Sequence, residues 1–320
     1  MMETIEKITA EIRNNNSFII TTHEGPDGDA AGSSLALASF LRKTGKDVTV
    51  HCKDPFPSLY SFLPGANELQ LHIPDRDFDV AFVMDIGELK RAGKEFCSFG
   101  RIGKIINLDH HLTCENFGLY NLIDKDAAAT AILVHRIIDS CGYEIDFETA
   151  LCIYVGVMTD TGSFRYSNSN VEAFTVAGKM IGAGVNAWHV AEKIYENQPL
   201  KRLDLLCLAL STLETKANGL VASIEVTLDM YEKSGGDAEL TDGFINYPRS
   251  VQGVEVAILF RQLEPERYKI GFRSKGKVNV AAFSEALGGG GHHNAAGCIL
   301  DGSISDVKTF VYSIVEKNLC

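Results

Sequence analysis

Four groups of acidic and imidazole side chains stand at the ends of apolar runs. His23-Glu24-Gly25-Pro26-Asp27-Gly28-Asp29 follows the run 17–22, Asp85 follows 79–84, Asp109-His110-His111 follows 104–108, and Asp160 closes a helical run. A histidine and two aspartates within seven residues, on a loop shaped by Gly and Pro, can turn three ligand side chains toward one point. Each group has a plainer reading. The Pro-Asp-Gly stretch is a turn whose Asp29 caps the next helix, Asp85 and Asp160 are element ends, and the paired histidines are solvated. Taken together the weights change, because four carboxylates gathered within about 5 Å repel by about 3–4 kcal/mol per pair at an effective dielectric near 20. Six such pairs exceed a folding stability of roughly 5–15 kcal/mol unless protons or cations relieve them. Mixed Asp and His donors without Cys suit Mn²⁺ first, then Co²⁺, Fe²⁺, Zn²⁺ or Mg²⁺.

For these groups to meet, the runs that carry them must be neighbouring strands. Runs this apolar read as strands buried on both faces, the mark of a parallel sheet. Helices are predicted between them at 31–43, closed by Gly45, and at 127–141, closed by Gly142. The alternation predicts a doubly wound α/β domain over 1–187, with its polar strand ends on the carboxyl edge where such sheets bind ligands. Helical text continues at 147–160 and 170–182, and 188–206, which carries Pro199, is expected to connect the domains. Strand-like runs at 219–227, 254–262, 268–273 and 296–300, with helices at 280–287 and 304–317, predict a second, smaller α/β domain over 207–320.

The 320 residues carry 30 Lys plus Arg against 42 Asp plus Glu, a net charge of −12, and are 45% hydrophobic. This balance excludes a disordered, collagen-like or highly charged coiled-coil chain. Residues 1–200 hold 17 basic and 27 acidic side chains, so the acid excess belongs to the first domain. Such a surface repels a long polyphosphate backbone, and no duplex DNA partner is expected. The stretch 261–277 is locally positive, with Arg261, Arg267, Lys269, Arg273, Lys275 and Lys277 against Glu264 and Glu266, and offers an anion contact. The eight cysteines show no CxxC pair or finger spacing, so neither structural zinc nor a redox dithiol is expected. The longest apolar stretch, around 150–158, is far below the ~20 residues of a membrane helix, so the expectation is a cytoplasmic protein with no membrane partner. A homodimer is expected from base rates.

In order, His23-x3-Asp27-x-Asp29, Asp85, Asp109-His110-His111 followed by Asn116-Phe117-Gly118, Asp160-Thr161-Gly162, and Gly288-Gly289-Gly290-Gly291-His292-His293-Asn294-Ala295-Ala296-Gly297 resemble the signatures of the DHH-family phosphoesterases. The last is similar to the glycine-rich signature of the first type of DHH-associated domain, and the resemblance spans nearly the whole chain. It runs to the NrnA-like branch, oligoribonucleases that also dephosphorylate 3′-phosphoadenosine 5′-phosphate (pAp). Carried onto this sequence, the resemblance implies one cation held by His23, Asp27 and Asp85 and a second by Asp29, Asp85, His110 and Asp160, with Asp85 bridging. It implies catalytic roles for Asp85, His111, which faces the substrate phosphate, and Asp109, which stands behind the ligands. Arg273 would grip a terminal phosphate, Gly289, Gly290, Gly291, His292 and Asn294 would form a substrate clamp, and Arg165 would approach the substrate. Glycines also let successive backbone N–H groups turn toward an anion. At His293 relatives usually carry Lys or Arg, and the segment Glu24-Gly25-Pro26 replaces a commoner Asn-containing version.

The implied activity is a two-metal phosphoesterase that cleaves short single-stranded oligoribonucleotides to mononucleotides and removes phosphate from pAp. A phosphodiesterase of linear or cyclic dinucleotides is the nearest alternative within the class. Pyrophosphatase and polyphosphatase relatives carry a different C-terminal domain. An alternative of another class is a nucleotide-binding module without catalysis, and turnover separates the two.

Overall fold

The computed structural model describes every residue except Leu112 and Cys320, and of His292 the backbone alone. The chain divides into two compact units, Met1–Glu196 and Asn197–Cys320.

The first unit runs α1 (Met2–Asn14), β1 (Ser17–Thr21), α2 (Gly28–Lys43), β2 (Asp47–His51), β3 (Phe78–Met84), α3 (Lys94–Ser98), β4 (Ile102–Asp109), β5 (Tyr120–Ile123), α4 (Thr130–Ser140), α5 (Phe147–Asp160), α6 (Val171–Gly182) and α7 (Ala187–Ala191). Its five strands are all parallel, in the order β2-β1-β3-β4-β5. The order reverses between β1 and β3, and a ligand crevice in such sheets opens at the carboxyl ends flanking that reversal. Both faces are buried, as apolar runs without alternation require. Phe18, Ile20, Val80, Phe82 and Met84 pack with Leu35, Ile132 and Ile153 of the helices, whereas Ile19, Ala81 and Val83 pack with Ile73, Ile86 and Phe96. Among the described residues the second face is covered by the short α3, a 3₁₀ turn at Leu89–Ala92 and irregular chain. The β2–β3 connection carries Pro55, Pro57, Pro64 and Pro74, each lacking the N–H that a helix interior needs.

Small residues set the spacing of α2 and α5. A Cβ on Gly32 would stand 2.5 Å from the Cys152 carbonyl oxygen, and one on Gly28 would stand 2.4 Å from Thr159 Oγ1. The two helices therefore meet backbone to backbone, which brings the start of α2, with Asp29, to the end of α5, with Asp160. Helix α4 begins at Thr130 rather than 127, because Ala129 is still extended (φ −164°, ψ 155°).

The second unit runs α8 (Leu200–Leu210), β6 (Glu214–Lys216), β7 (Val221–Val226), α9 (Leu228–Ser234), α10 (Asn246–Ser250), β8 (Val256–Glu264), β9 (Arg267–Ser274), α11 (Val280–Ala286), β10 (Gly290–His292), β11 (Ala295–Asp301) and α12 (Ile304–Asn318). Its six strands lie in the order β10-β11-β9-β8-β7-β6, antiparallel except for the parallel pair β7–β8. Tyr268, Ile270 and Phe272 of β9 pack with Phe283 and Val311 on one face, and Ile224 and Val226 of β7 pack with Leu205 and Phe244 on the other. The stretch 188–206 is the rest of α7, a π turn at Glu192–Glu196 and the start of α8. Among the described residues no helix is long and apolar enough to cross a membrane.

A polar cluster pins the edge strand β6 to α12. Glu214 accepts from Lys308 Nζ at 2.6 Å and from Tyr312 Oη at 2.8 Å, and Lys308 also reaches Glu225. Although burial opposes it, these donors hold the Glu214 carboxyl down to about 2. A depressed carboxyl contributes stability above its unfolded pKa and loses it as pH falls toward the folded value. We therefore expect Glu214→Gln to melt below the wild type at pH 6, with the two melting temperatures converging as pH drops from about 4 toward 2.

Candidate metal centre

The ends of β1, β3, β4 and α5 deliver the polar groups to one place. His23, two residues past β1, is buried, and its Nδ1 pairs with the Glu24 carbonyl at 3.0 Å, which leaves Nε2 toward Asp27 and Asp85 at 4.0 and 3.8 Å. Asp85 ends β3 with φ +60°, a left-handed conformation that Asp tolerates better than most residues, and its N–H donates to the Leu108 carbonyl at 2.9 Å. The carboxylate stands between His23, past β1, and His110, past β4.

Asp27 and Asp29 do different work from the plain turn reading. Asp27 is the N-cap of α2, accepting from the N–H groups of Asp29 and Ala30 at 3.1 and 3.0 Å. Asp29, expected in that reading to cap its own helix, instead caps α4: it accepts from Thr130 N–H at 2.6 Å and Ala131 N–H at 3.0 Å, where α4's own N-cap, Ala129, has no side chain to offer. His110 Nδ1 pairs with the Ala127 carbonyl at 3.2 Å, and its Nε2 lies 3.5 Å from both Asp85 and Asp160 and 3.9 Å from Asp29. Among the described residues three sets of side chains bring possible ligand atoms within 4.8 Å of one another: His23, Asp27 and Asp85; Asp29, His110 and Asp160; and Asp85, His110 and His111.

Behind them Asp109, fully buried, accepts from the N–H groups of His110 and His111 and from His111 Nδ1 at 2.6 Å. Against the effect of burial, the hydrogen bond to Asp109, then the charges of Asp85 and Asp109, hold His111 above the ordinary imidazole range, and His111 in turn holds Asp109 low although burial opposes it.

The electrostatics are those of a crowded anionic pocket. Burial, then the charges of Asp85 and Asp160, push Asp29 well up. Burial pushes Asp160 up to about 7, with His110 pulling the other way and Asp27 and Asp85 adding to the rise. Against its own burial, His110 is raised to about 9 by Asp160, Asp85 and Asp29. Protons are thus retained where a divalent cation would supply the charge, and the carboxylate and imidazole donors suit such an ion.

The remaining expected site residues are not among these ligand sets. Arg165 is exposed, and its Nε donates to the Gly162 carbonyl at 2.7 Å. In the second unit Arg273 lies on β9 between Ala257 and Ala295, donating to the Phe272 carbonyl at 3.0 Å, and Asn294 accepts from Ser274 Oγ at 2.9 Å. The glycine run forms a hairpin arm. The N–H groups of Gly288 and Gly289 go to Glu285 and Ser284 at the end of α11, at 3.0 and 2.7 Å, so these two are not turned toward an anion, while Gly290 and Gly291 pair with Gly297 and Ala296. The side chain of His292 lies outside the described residues.

Sequence reading missed the segment 127–131. It receives His110 at the Ala127 carbonyl and Asn168 Nδ2 at the Ala128 carbonyl (3.0 Å), and Asn168 also bonds the Asp160 carbonyl at 3.2 Å. Thr130 Oγ1 donates to Asp85 Oδ1 at 3.0 Å. Four alanines and a threonine carry no ligand signature, and only their contacts show that they brace the site.

Residues 17–157 match the DHH family, N-terminal domain, and 217–317 match the DHHA1 domain. The chain belongs to the DHH family. It is an NrnA-like member, 34% identical over 284 residues to the Thermus thermophilus protein named bifunctional oligoribonuclease and PAP phosphatase NrnA, covering 88% of this chain and 84% of that one. A Bacillus subtilis protein of the same name is 25% identical over 306 residues, covering 92% and 94%. An exopolyphosphatase-related protein from Bacteroides fragilis superposes with a TM-score of 0.94 at 30% identity, covering 99% of this chain and 96% of that one. RecJ from Thermus thermophilus, solved with Mn²⁺, shares the fold at TM-score 0.56 and 13% identity, covering 98% of this chain and 54% of RecJ. As a DHH-family member with NrnA-like relatives, the chain is a metal-dependent phosphoesterase.

Proposed function

We propose that this DHH-family enzyme binds two divalent cations, most readily Mn²⁺, and hydrolyses short 5′-phosphorylated oligoribonucleotides and pAp. The observation that carries the reading is the pairing of two ligand sets around Asp85: its Oδ2 faces His23 and its Oδ1 faces His110. His23, Asp27 and Asp85 would hold one ion and Asp29, Asp85, His110 and Asp160 the other. Bound cations supply an acidified water and neutralise phosphate charge.

The chain's own residues do the rest. Asp109 fixes the His111 ring through Nδ1 and favours its protonated form, which presents positive charge to a phosphoryl oxygen as negative charge develops there. The backbone N–H groups that Asp27 and the buried Asp29 accept from keep those carboxylates from rotating away. In the second unit, Arg273 is the proposed anchor for the substrate's terminal phosphate. Burial, then the charges of Arg261 and Arg273, pull Lys269 down, which marks that stretch of β9 as electropositive. Gly289, Gly290, Gly291, His292, Asn294 and Arg165 are the further proposed substrate contacts, Gly289 by atoms other than its engaged N–H. The names of the NrnA relatives support the substrate class, and the matched DHHA1 domain favours nucleotides over the inorganic chain suggested by the name of the Bacteroides structure. We further propose a cytoplasmic homodimer that does not act on duplex DNA.

The test is a panel of Mn²⁺-supported rates on pAp, 5′-phosphorylated dinucleotides, a long single strand, cyclic dinucleotides and polyphosphate. The first two should be the best substrates, and a preference for polyphosphate would sink the reading. Arg273→Ala should raise KM for pAp by about 10–100-fold, the worth of a hydrogen bond to a charged group, with kcat nearly unchanged. An unchanged KM removes Arg273 from the substrate site.

A further inference from the structure

We infer that Thr130 is a positioning residue that sets the plane of the Asp85 carboxylate and thereby divides its two oxygens between the two cations. The inference rests on the two-cation reading above and goes beyond it, to a residue with no ligand chemistry of its own.

The terminal torsion of an aspartate is broad, so a buried carboxylate points where its hydrogen bonds hold it. Asp85 is fixed at its backbone by the Leu108 carbonyl, which leaves the carboxylate to rotate. The hydroxyl of Thr130, a residue with no solvent exposure, lies 3.0 Å from Asp85 Oδ1. With Oδ1 held on that side, next to His110 Nε2 at 3.5 Å, Oδ2 is directed to His23 Nε2 at 3.8 Å. A quarter turn of the carboxylate would withdraw one oxygen from each ligand set.

The same residue binds the second set from its backbone. Thr130 N–H donates to Asp29 Oδ2 at 2.6 Å, and the neighbouring Ala131 N–H takes Oδ1 at 3.0 Å. A threonine in the first turn of a helix ordinarily spends its hydroxyl on local backbone. Here the hydroxyl is spent on a carboxylate 45 residues away in sequence, while the helix is capped in trans by Asp29. One residue thus orients two carboxylates, one shared and one belonging to the second set. Groups that orient metal ligands from behind typically cost about 10–100-fold in metal affinity when removed.

The experiment is calorimetric titration of chelator-treated full-length protein with Mn²⁺, in wild type, Thr130→Val and Thr130→Ser, with a melting curve of each metal-free protein. Valine keeps the shape and both backbone N–H groups and removes only the hydroxyl. Wild type should take two equivalents, Thr130→Val should bind at least one of them about 10–100-fold more weakly, and Thr130→Ser should restore the wild-type isotherm. A purely structural role predicts a lower melting temperature in Thr130→Val with unchanged isotherms. That outcome, or two wild-type affinities in a well-folded Thr130→Val, overturns the inference and leaves the two-cation reading standing. Wild-type protein that takes up no Mn²⁺ overturns both.

Discussion

Asp85→Asn should leave a folded protein that has lost at least about 10³-fold of its phosphoesterase activity: one unit charge about 4 Å from another is worth about 4 kcal/mol at an effective dielectric of 20, and a dication doubles it. The amide oxygen can still accept from Thr130, and the backbone bond to Leu108 is untouched, so the strand end keeps its shape. The variant should also separate stability from function. Asp85 pushes the buried Asp29 up and also helps to hold His110 and His111 protonated, so deleting its charge removes a repulsion and attractions together. Metal-free Asp85→Asn should therefore melt close to the metal-free wild type, while Mn²⁺ should raise its melting temperature less. Differential scanning with and without Mn²⁺ checks both, and wild-type turnover in the variant refutes the bridging role.

The second large effect comes from a residue with no chemistry. Gly32→Ala places a methyl 2.5 Å from the Cys152 carbonyl oxygen and 2.8 Å from the Gly156 nitrogen, both backbone atoms that cannot swing aside. Helices α2 and α5 must move apart, at a cost of about 1–3 kcal/mol for overpacking. Because Asp29 rides on α2 and Asp160 on α5, the same movement pulls apart two of the proposed ligands of one cation, and a displacement of about 1 Å can cost about 10²-fold in rate. Melting temperature and Mn²⁺ affinity should fall together. A variant with reduced stability and unaltered Mn²⁺ binding would show that the α2–α5 spacing does not set the site.

Much of the site was legible because its ligands are chemically distinctive and fall where apolar runs stop. His23, Asp85 and Asp109 end strands whose uninterrupted apolar character already implied a sheet buried on both faces, and α5 spans the predicted 147–160. The less apolar members escaped notice: β2 begins at the exposed Asp47, β5 has four residues with one buried, and α1 buries a single stripe. Capping was harder to assign. Pro26-Asp27-Gly28-Asp29 holds two candidate caps, and only the fold shows that Asp27 serves α2 and Asp29 serves α4, a partner about a hundred residues away. The glycine run suggested an anion nest, whereas its first two N–H groups close α11 and Gly289 packs where a Cβ would stand 2.4 Å from the Gly297 carbonyl oxygen. Thr130 could not be found by type or spacing, since its role exists only through long-range contacts.

The central claim is a centre of two cations that share Asp85. Diffraction from crystals grown with Mn²⁺, recorded at the manganese absorption edge, tests it most directly. The expected anomalous map shows two peaks, one among His23, Asp27 and Asp85 and one among Asp29, Asp85, His110 and Asp160. A single peak, or two that leave Asp85 out of both ligand sets, contradicts the claim.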